Sequence, residues 1–215
     1  DGTALACLGD TGRSLYFFSG GKGQYLVKNK KMTAPSFDSF GWLWVAESDG
    51  AVRAYNAAST NEKERSKGIE IPVSWRSGMT FSSLRISHDG ARVVVVGTRD
   101  GTAAVVMSGV VRDSSGTPKG FTEPVRVTSS ITPRTAVWAG EQNLVVVNDK
   151  TGESEVTTLS GEETKFDRLD GVKSVSAAGN TSNMLAHRSD GSCYVLEERG
   201  WNRLNTSTRE MSFAG

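Results

Sequence analysis

Histidine and cysteine, two residue types that often perform nucleophilic or metal chemistry, each occur only twice in this 215-residue chain. The two histidines, His88 and His187, have no second histidine, cysteine or acidic residue at the spacing of a zinc site. We interpret both as solvated or hydrogen-bonded structural histidines. The sequence also lacks a G-x-S-x-G elbow, a P-loop and a Rossmann glycine fingerprint. It therefore predicts no metal site and no cofactor.

Recognition of a partner depends on other side chains, and tryptophan and arginine are enriched at the hot spots of protein interfaces. Trp75 and Arg76 are adjacent in a segment that joins two apolar stretches. Together with Arg134 they are the candidate partner-binding residues. The alternative for Trp75 is that its ring fills a gap in the core.

The composition favours a globular domain without an overall electrostatic field. The chain has 24 glycines and is 37% hydrophobic, which fits short strands joined by tight turns. The net charge of +1 gives no reason to expect binding to nucleic acid or to an anionic lipid surface. No apolar run approaches the roughly 20 residues that span a bilayer. We expect residues 1–215 to form one soluble domain, cut from a longer protein.

One pattern occurs five times along the chain: an apolar run, a turn with a central glycine, and a second strand-like run. The central glycines of these turns recur at intervals of about 40 to 50 residues, which is the period of four-stranded propeller blades: Gly12, Gly50, Gly101, Gly152 and Gly191. Asp-Gly pairs suit the positive φ angles of tight hairpins. The sequence therefore predicts an all-β propeller of five blades with four antiparallel strands each. A second turn precedes most of the apolar runs, and the structural turn residues of both kinds are Asp38, Gly41, Asp49, Gly50, Asp89, Gly90, Asp100, Gly101, Asp190 and Gly191.

The second strand of each repeat is almost wholly apolar, as in Trp42 to Ala46, Val93 to Val96 and Leu144 to Val147. Such runs are typical of strands that are covered on both faces. Two charged stretches, Asn61 to Lys67 and Arg112 to Gly120, separate third from fourth strands. We interpret both as solvated peripheral loops.

The first and last repeats would be neighbours in a closed ring. The first repeat lacks its innermost strand, and we expect residues 209–215 to pair into it, which would cover two exposed sheet edges. Cys7 and Cys193 lie in these two repeats but on different strands. Whether they form a disulfide stays open.

Innermost strands line the axis of a propeller, where a glycosidase would place two facing carboxylates. The three candidate innermost strands, Ser82 to Ser87, Arg134 to Ala139 and Lys173 to Ala178, contain no Asp or Glu. Asp38 and Asp89 lie at turns, where an aspartate ordinarily accepts local backbone N–H bonds. We therefore expect a domain with no catalytic residues that is not an enzyme.

Two segments resemble one known family. Pro35 to Val45 reads PSFDSFGWLWV and is similar to the P-S-[WF]-D-x-x-G-x-[LV]-W-V signature of the C-terminal β-propeller domain of LpqB, an actinobacterial lipoprotein. Leu84 to Val96 resembles the same family's L-R-x-S-x-D-G-x-R-V-A-V-V segment, and the order and spacing of the two segments match. The S-x-D-G-x-R-V stretch alone occurs in other propellers, so the pair of segments carries the resemblance.

The resemblance implies an extracytoplasmic protein held at the cell membrane by an N-terminal lipid. The lipid-bearing cysteine and the GerMN-type domain of that family lie outside these 215 residues. The implied partner is the extracellular domain of a sensor histidine kinase similar to MtrB, in a two-component system for cell-envelope homeostasis. Two alternatives stay open: a carbohydrate-active or glycan-binding propeller that acts on envelope polysaccharide, and a passive spacer.

Overall fold

The computed structural model describes residues 4–159, 169–177, 184–197 and 200–204. They form five small antiparallel sheets that stand in a ring, so the predicted five-bladed β-propeller is confirmed. Within the described residues the five sheets have three, four, five, three and four strands. The expected four strands are thus found in the second and fifth blades.

The first blade consists of β1 (Ala4–Gly9), β2 (Ser14–Ser19) and β3 (Lys22–Val27), with a 3-10 turn at Asp10–Gly12. The second consists of β4 (Ser36–Phe37), β5 (Trp42–Ala46), β6 (Val52–Asn56) and β7 (Ile69–Ile71), with helix α1 (Glu62–Lys67) before β7. The third consists of β8 (Thr80–Ile86), β9 (Arg92–Arg99), β10 (Thr102–Arg112), β11 (Pro118–Phe121) and β12 (Val125–Val127). The fourth consists of β13 (Thr135–Ala139), β14 (Asn143–Asn148) and β15 (Glu153–Thr158). The fifth consists of β16 (Val172–Ala177), β17 (Met184–Arg188), β18 (Cys193–Glu197) and β19 (Gly200–Arg203).

The second strands of the second, third and fourth blades form the centre of the core. Residues 43–46 of β5, 93–96 of β9 and 144–147 of β14 are at most 2% exposed. This confirms that these strands are covered on both faces. Apolar clusters join the first blade to the second, the second to the third, the third to the fourth and the fourth to the fifth. Burial of apolar surface between neighbouring blades is therefore what holds the ring together.

The two charged stretches differ from the predicted loops. Residues 62–67 form helix α1, whose side chains are not buried and whose first turn is capped by Asn61 accepting from the Lys63 amide at 3.0 Å. The other stretch belongs to a β-hairpin, because β10 is longer than the third strands of the other blades and its end pairs with β11. The solvated interpretation is wrong for Arg112, whose side chain is only 11% exposed.

The ring has two ends that the strand order defines. Turns that join first to second strands lie at one end, which we call the turn end. The segments that lead into first strands, and the turns between second and third strands, lie at the opposite end, which we call the connector end. Because the strands are antiparallel, every blade contributes to both ends in the same way.

Two expectations concern the junction between the first and fifth blades: a disulfide, which the sequence left open, and the pairing of the C-terminal residues. Cys7 and Cys193 are free thiols, so they form no disulfide in this structure. The expected pairing of residues 209–215 lies outside the described residues and stays a prediction. In the described part of the chain, no helix is long and apolar enough to span a bilayer.

Candidate functional site

Trp75 and Arg76 lie at the connector end, in the segment between β7 and β8. The Trp75 ring packs beside Phe81 and Phe121, with centroid distances of 6.0 and 6.2 Å. Its main-chain oxygen accepts a hydrogen bond of 2.9 Å from Arg99 Nη2. The tryptophan thus anchors the segment on the core, while the Arg76 side chain stays 39% exposed.

Two shallow depressions flank this segment. One has a volume of about 500 Å³ and includes Val73 and Arg76 in its walls. The other has a volume of about 300 Å³ and is lined by Trp75, Met79, Arg99 and Arg126 among others. We call Trp75, Arg76, Arg99 and Arg126 the connector surface.

The connector surface carries three positive charges around a half-buried tryptophan. Glu70 is the nearest acid to Arg76, at 3.9 Å from Nη2, and its other oxygen accepts from Arg53 at 3.2 Å. Arg99 is tied to a carbonyl rather than to a carboxylate. Arg76 thus has a long ion pair with Glu70, whereas Arg99 and Arg126 have none among the described residues. The surface is basic on balance and would complement an acidic partner.

Arg134 lies at the same end of the ring but on the next blade. Its Nε donates to Asp149 Oδ1 at 2.7 Å, and its side chain is 41% exposed. Its main-chain oxygen accepts from Ser82 Oγ at 2.7 Å. The structure thus brings Trp75 and Arg76 together and places Arg134 apart from them, with a counterion of its own.

The repeat-marking aspartates and glycines occupy turns. The Oδ1 atoms of Asp49, Asp89 and Asp190 accept from backbone amides two residues further on, at 2.9 to 3.0 Å. Asp100 itself has a φ of 50°. The glycines have φ angles between 70° and 86°, a left-handed conformation that strains any other residue: Gly41, Gly50, Gly90, Gly101 and Gly191.

Hydrogen bonds in one of these turns also alter a pKa. Partial burial acts to raise the pKa of Asp89, but the Ser87 hydroxyl, the Ala91 amide and the charge of Arg92 outweigh that effect. The pKa of Asp89 therefore lies below its ordinary value. The ionised carboxylate is the form that the turn stabilises.

Asp38 has a larger role than a turn aspartate. Its Oδ1 accepts from the amides of Phe40 and Trp42 at 3.0 and 2.9 Å, as the sequence led us to expect. Its Oδ2 accepts from Trp44 Nε1 at 2.8 Å and from Arg112 Nη2 at 2.6 Å. The carboxylate is 0% exposed, so all its interactions are with the protein.

Arg112 completes this cluster from the third blade. Its Nη1 donates to the Gly116 oxygen at 2.9 Å and its Nη2 to the Gly90 oxygen at 3.0 Å. The guanidinium lies 4.3 Å from the centroid of the Phe40 ring. The sequence did not reveal this residue, because its partner lies 74 positions earlier and only the hairpin of β10 and β11 brings the two together.

A cavity of about 490 Å³ opens on the ring axis at the turn end. First strands of four blades contribute to its walls, with Phe37 from β4, Arg85 from β8, Trp138 from β13 and Ser176 from β16. The exposed His88 also lines it. Arg85 and this cavity were not singled out from the sequence, because which strand residues face the axis follows from the assembled ring.

Two carboxylates line the cavity, Asp38 and Glu141. Asp38 is held by Arg112, and Glu141 Oε2 accepts from Arg92 Nη2 at 2.9 Å. A glycosidase needs one protonated and one ionised carboxyl group that both reach the sugar. Two carboxylates that are each paired with arginine do not favour this chemistry. Within the described ranges, no group of three or more His, Cys, Asp or Glu could hold a metal ion.

Comparison with known sequences identifies one family. The family model described as "Lipoprotein LpqB beta-propeller domain" matches residues 1–211. Lipoprotein LpqB of Streptomyces avermitilis is 27% identical over 131 residues, which cover 59% of this chain and 21% of that protein. The matched segment thus spans about a fifth of the length of the curated relative.

Comparison with solved structures gives the same fold at low sequence identity. A protein of unknown function from Bacteroides caccae has a TM-score of 0.58 at 15% identity, covering 94% of this chain and 73% of that one. Regucalcin of Agrobacterium tumefaciens, a calcium-binding protein, has a TM-score of 0.57 at 12% identity, with coverages of 95% and 70%. Raptor of Chaetomium thermophilum has a TM-score of 0.56 at 14% identity, with coverages of 97% and 20%. At such identities the likeness concerns the fold alone.

Proposed function

The chain belongs to the LpqB β-propeller domain family, and from this premise we propose that it is a protein-binding domain of a lipid-anchored, extracytoplasmic lipoprotein. Its proposed partner is the extracellular domain of a sensor histidine kinase similar to MtrB. A domain that binds one signalling state of such a sensor better than another shifts the balance between the states. The observation that carries the proposal is the family match over residues 1–211.

The connector surface supports a binding role, and we propose it as the place of the sensor contact. Tryptophan and arginine dominate the energetics of many interfaces, and they act best when a rigid scaffold holds them in place. Trp75 is held between two phenylalanine rings, and Arg76 projects beside it with its side chain 39% exposed. We place the sensor contact here and expect the facing surface of the sensor to be acidic.

The test is a binding measurement between the purified domain and the purified extracellular domain of the sensor, by biolayer interferometry. Arg76→Glu reverses one charge of the connector surface and is expected to weaken binding by about tenfold or more. Arg134→Glu is expected to have a smaller effect, because Asp149 already neutralises Arg134. Lys119→Glu is the matched control at the turn end, where the lysine side chain is 57% exposed.

The outcomes separate the function from the location. Absence of binding by both the isolated domain and the full-length lipoprotein would overturn the proposed function. Binding that Lys119→Glu weakens and Arg76→Glu does not would keep the function and move the contact to the turn end. Unchanged signalling after replacement of this domain by an unrelated propeller would show a spacer instead of a binding domain.

A further inference from the structure

We propose that the axial cavity at the turn end binds a small organic anion, whose carboxylate or phosphate group pairs with Arg85. This site lies at the opposite end of the ring from the connector surface, and it does not depend on the proposed sensor contact. Its ligand is a separate molecule of about the size of a substituted benzene or sugar ring.

The charges around the cavity leave one cation without a counterion. The Asp38 carboxylate is paired with Arg112 at 2.6 Å, and Glu141 is paired with Arg92 at 2.9 Å. Arg92 is shared between two carboxylates, since its Nη2 also lies 3.7 Å from Asp89 Oδ2. Among the described residues, no carboxylate lies within the 4.0 Å of an ion pair with Arg85. Arg85 is therefore the one charged side chain of the cavity wall that has no ion-pair partner among the described residues.

Arg85 is held in place by backbone oxygens. Its Nη1 donates to the Ala34 oxygen at 2.7 Å, with longer contacts of 3.4 and 3.3 Å to the oxygens of Pro35 and Leu84. Within the part of the chain that the structure describes, its Nε and Nη2 have no acceptor. Because Arg85 lines the cavity and these bonds engage Nη1 alone, we assign Nε and Nη2 as the donors to the ligand.

The surroundings of Arg85 make an anionic ligand favourable. Burial lowers the pKa of Arg85, which means that the charged form is poorly solvated. A poorly solvated cation without a counterion is costly, and an incoming anion offsets that cost. The planar fork of a guanidinium matches the two oxygens of a carboxylate or a phosphate.

The remaining walls suit a ligand that has an apolar body. Trp138 lines the cavity, and its Nε1 donates to the main-chain oxygen of Arg85 at 3.1 Å, which fixes the indole against β8. Phe37, which is 38% exposed, and Val137 are further apolar walls. A volume of about 490 Å³ lies within the usual range of about 300 to 1,000 Å³ for small-molecule sites. A ring with an anionic group fits this combination better than an inorganic ion.

The test uses three ring compounds of similar size on the purified 215-residue domain, by isothermal titration calorimetry. Benzoate carries a carboxylate, phenyl phosphate carries a phosphate, and benzyl alcohol is neutral. We expect at least one of the two anions to bind at least about tenfold tighter than benzyl alcohol, since each tenfold in affinity is about 1.4 kcal/mol. The ratio between the anions identifies the preferred headgroup, and inorganic phosphate is expected to bind more weakly than phenyl phosphate.

Two variants locate the site. Arg85→Gln removes the charge and should weaken anion binding at least about tenfold, while Arg134→Gln at the other end should leave it unchanged. Arg85 also donates hydrogen bonds to backbone oxygens, so Arg85→Gln changes the local structure as well as the charge. Ser176→Asp therefore provides a second test of the same site. Ser176 is exposed and lines the same cavity, so an added carboxylate should compete for Arg85 without disturbing the core.

The proposal is overturned if neither anion binds tighter than benzyl alcohol. It is also overturned if folded Arg85→Gln, or Ser176→Asp when the former does not fold, binds the anions as the parent domain does. The far-UV circular dichroism of each variant establishes whether it is folded. Unaltered binding of Ser176→Asp to the sensor domain would show that the two sites are independent.

Discussion

Two ion pairs of nearly equal length stand at opposite ends of the ring. At the turn end, Arg112 and Asp38 approach to 2.6 Å, with side chains that are 11% and 0% exposed. At the connector end, Arg134 and Asp149 approach to 2.7 Å, with side chains that are 41% and 48% exposed. Distance alone would rank the two pairs as equivalent in strength, but the difference in solvent exposure makes the buried interaction the stronger one.

The buried pair couples blades, whereas the exposed pair belongs to the surface. Arg112 comes from the third blade and Asp38 from the turn after β4 of the second, and further bonds join both to their surroundings. Both Arg134 and Asp149 belong to the fourth blade. The Arg112–Asp38 pair thus fixes two blades beside the axial cavity. The Arg134–Asp149 pair stays in contact with solvent at the connector end, where we propose that a partner binds.

The largest expected effect follows from removal of one member of the buried pair. Arg112→Met leaves the Asp38 carboxylate buried without its counterion, and we expect a loss of about 3 to 5 kcal/mol in the free energy of unfolding. Arg134→Met removes an exposed partner and should cost less than about 1 kcal/mol. Urea unfolding followed by tryptophan fluorescence measures both. Equal losses would contradict the assignment of the blade-coupling role to the buried pair.

A second effect compares two equivalent turns at the connector end. Gly50 and Gly101 have φ angles of 86° and 77°, so alanine is strained at both positions. A Cβ at Gly50 would also meet the Met79 oxygen at 2.9 Å, whereas one at Gly101 meets nothing within 4 Å. We expect Gly101→Ala to cost about 1 kcal/mol and Gly50→Ala about 2 to 3 kcal/mol.

Thermal unfolding of these two variants shows how tightly the connector end is packed. The larger loss in Gly50→Ala would indicate that the turn of the second blade is braced against the segment that holds Trp75. An equal loss of stability in both variants would mean that the segment between β7 and β8 moves to accommodate the new Cβ. Trp75 would then not hold that segment in place.

The smallest effect is a pH dependence at the turn end. The pKa of Asp89 is lowered, so its stabilising contribution is fully present above the ordinary aspartate pKa of about 3.9 and is lost as the pH falls below that value and through the lower pKa of the folded state. Asp89→Asn keeps an acceptor oxygen but cannot titrate. Its deficit relative to the parent domain should therefore be present at pH 6 and shrink towards pH 3.

The size of this effect tests whether burial, rather than position at one end of the ring, determines how much a charged side chain contributes to the free energy of unfolding. The Asp89 side chain is 43% exposed, so its contribution should stay below about 1 kcal/mol. Urea unfolding of both proteins at pH 6 and pH 3 measures it. A deficit as large as that of Arg112→Met, or one that grows as the pH falls, would contradict this account.

The fold could be predicted because it follows from local sequence patterns. The glycine turns and the apolar second strands repeat with a fixed period, and each has a direct physical reason in the hairpin or the core. The segment after Arg112 reads as a polar loop, since nothing local shows that β10 continues into a hairpin. Trp75 and Arg76 were singled out by their types and by their place in a connecting segment, whereas Arg99 and Arg126 join them only through the pairing of β9, β10 and β12.

Arg85 was missed for a related reason. It stands in β8 among apolar residues, where a single arginine reads as one that points to solvent. Its position at the axis follows from the ring, and its lack of a counterion follows from the partners that Asp38 and Glu141 find elsewhere. Sequence patterns predict elements and their order, but long-range charge partners depend on the assembled structure.

The central claim is that this propeller binds a sensor domain through its connector end. Hydrogen–deuterium exchange of the domain, alone and with the sensor's extracellular domain, tests it most directly. We predict that binding slows exchange in residues 72–79 and around Arg99 and Arg126, while the turn after β4 is unchanged. Protection confined to the turn end, or no change anywhere at saturating sensor concentrations, would contradict the claim.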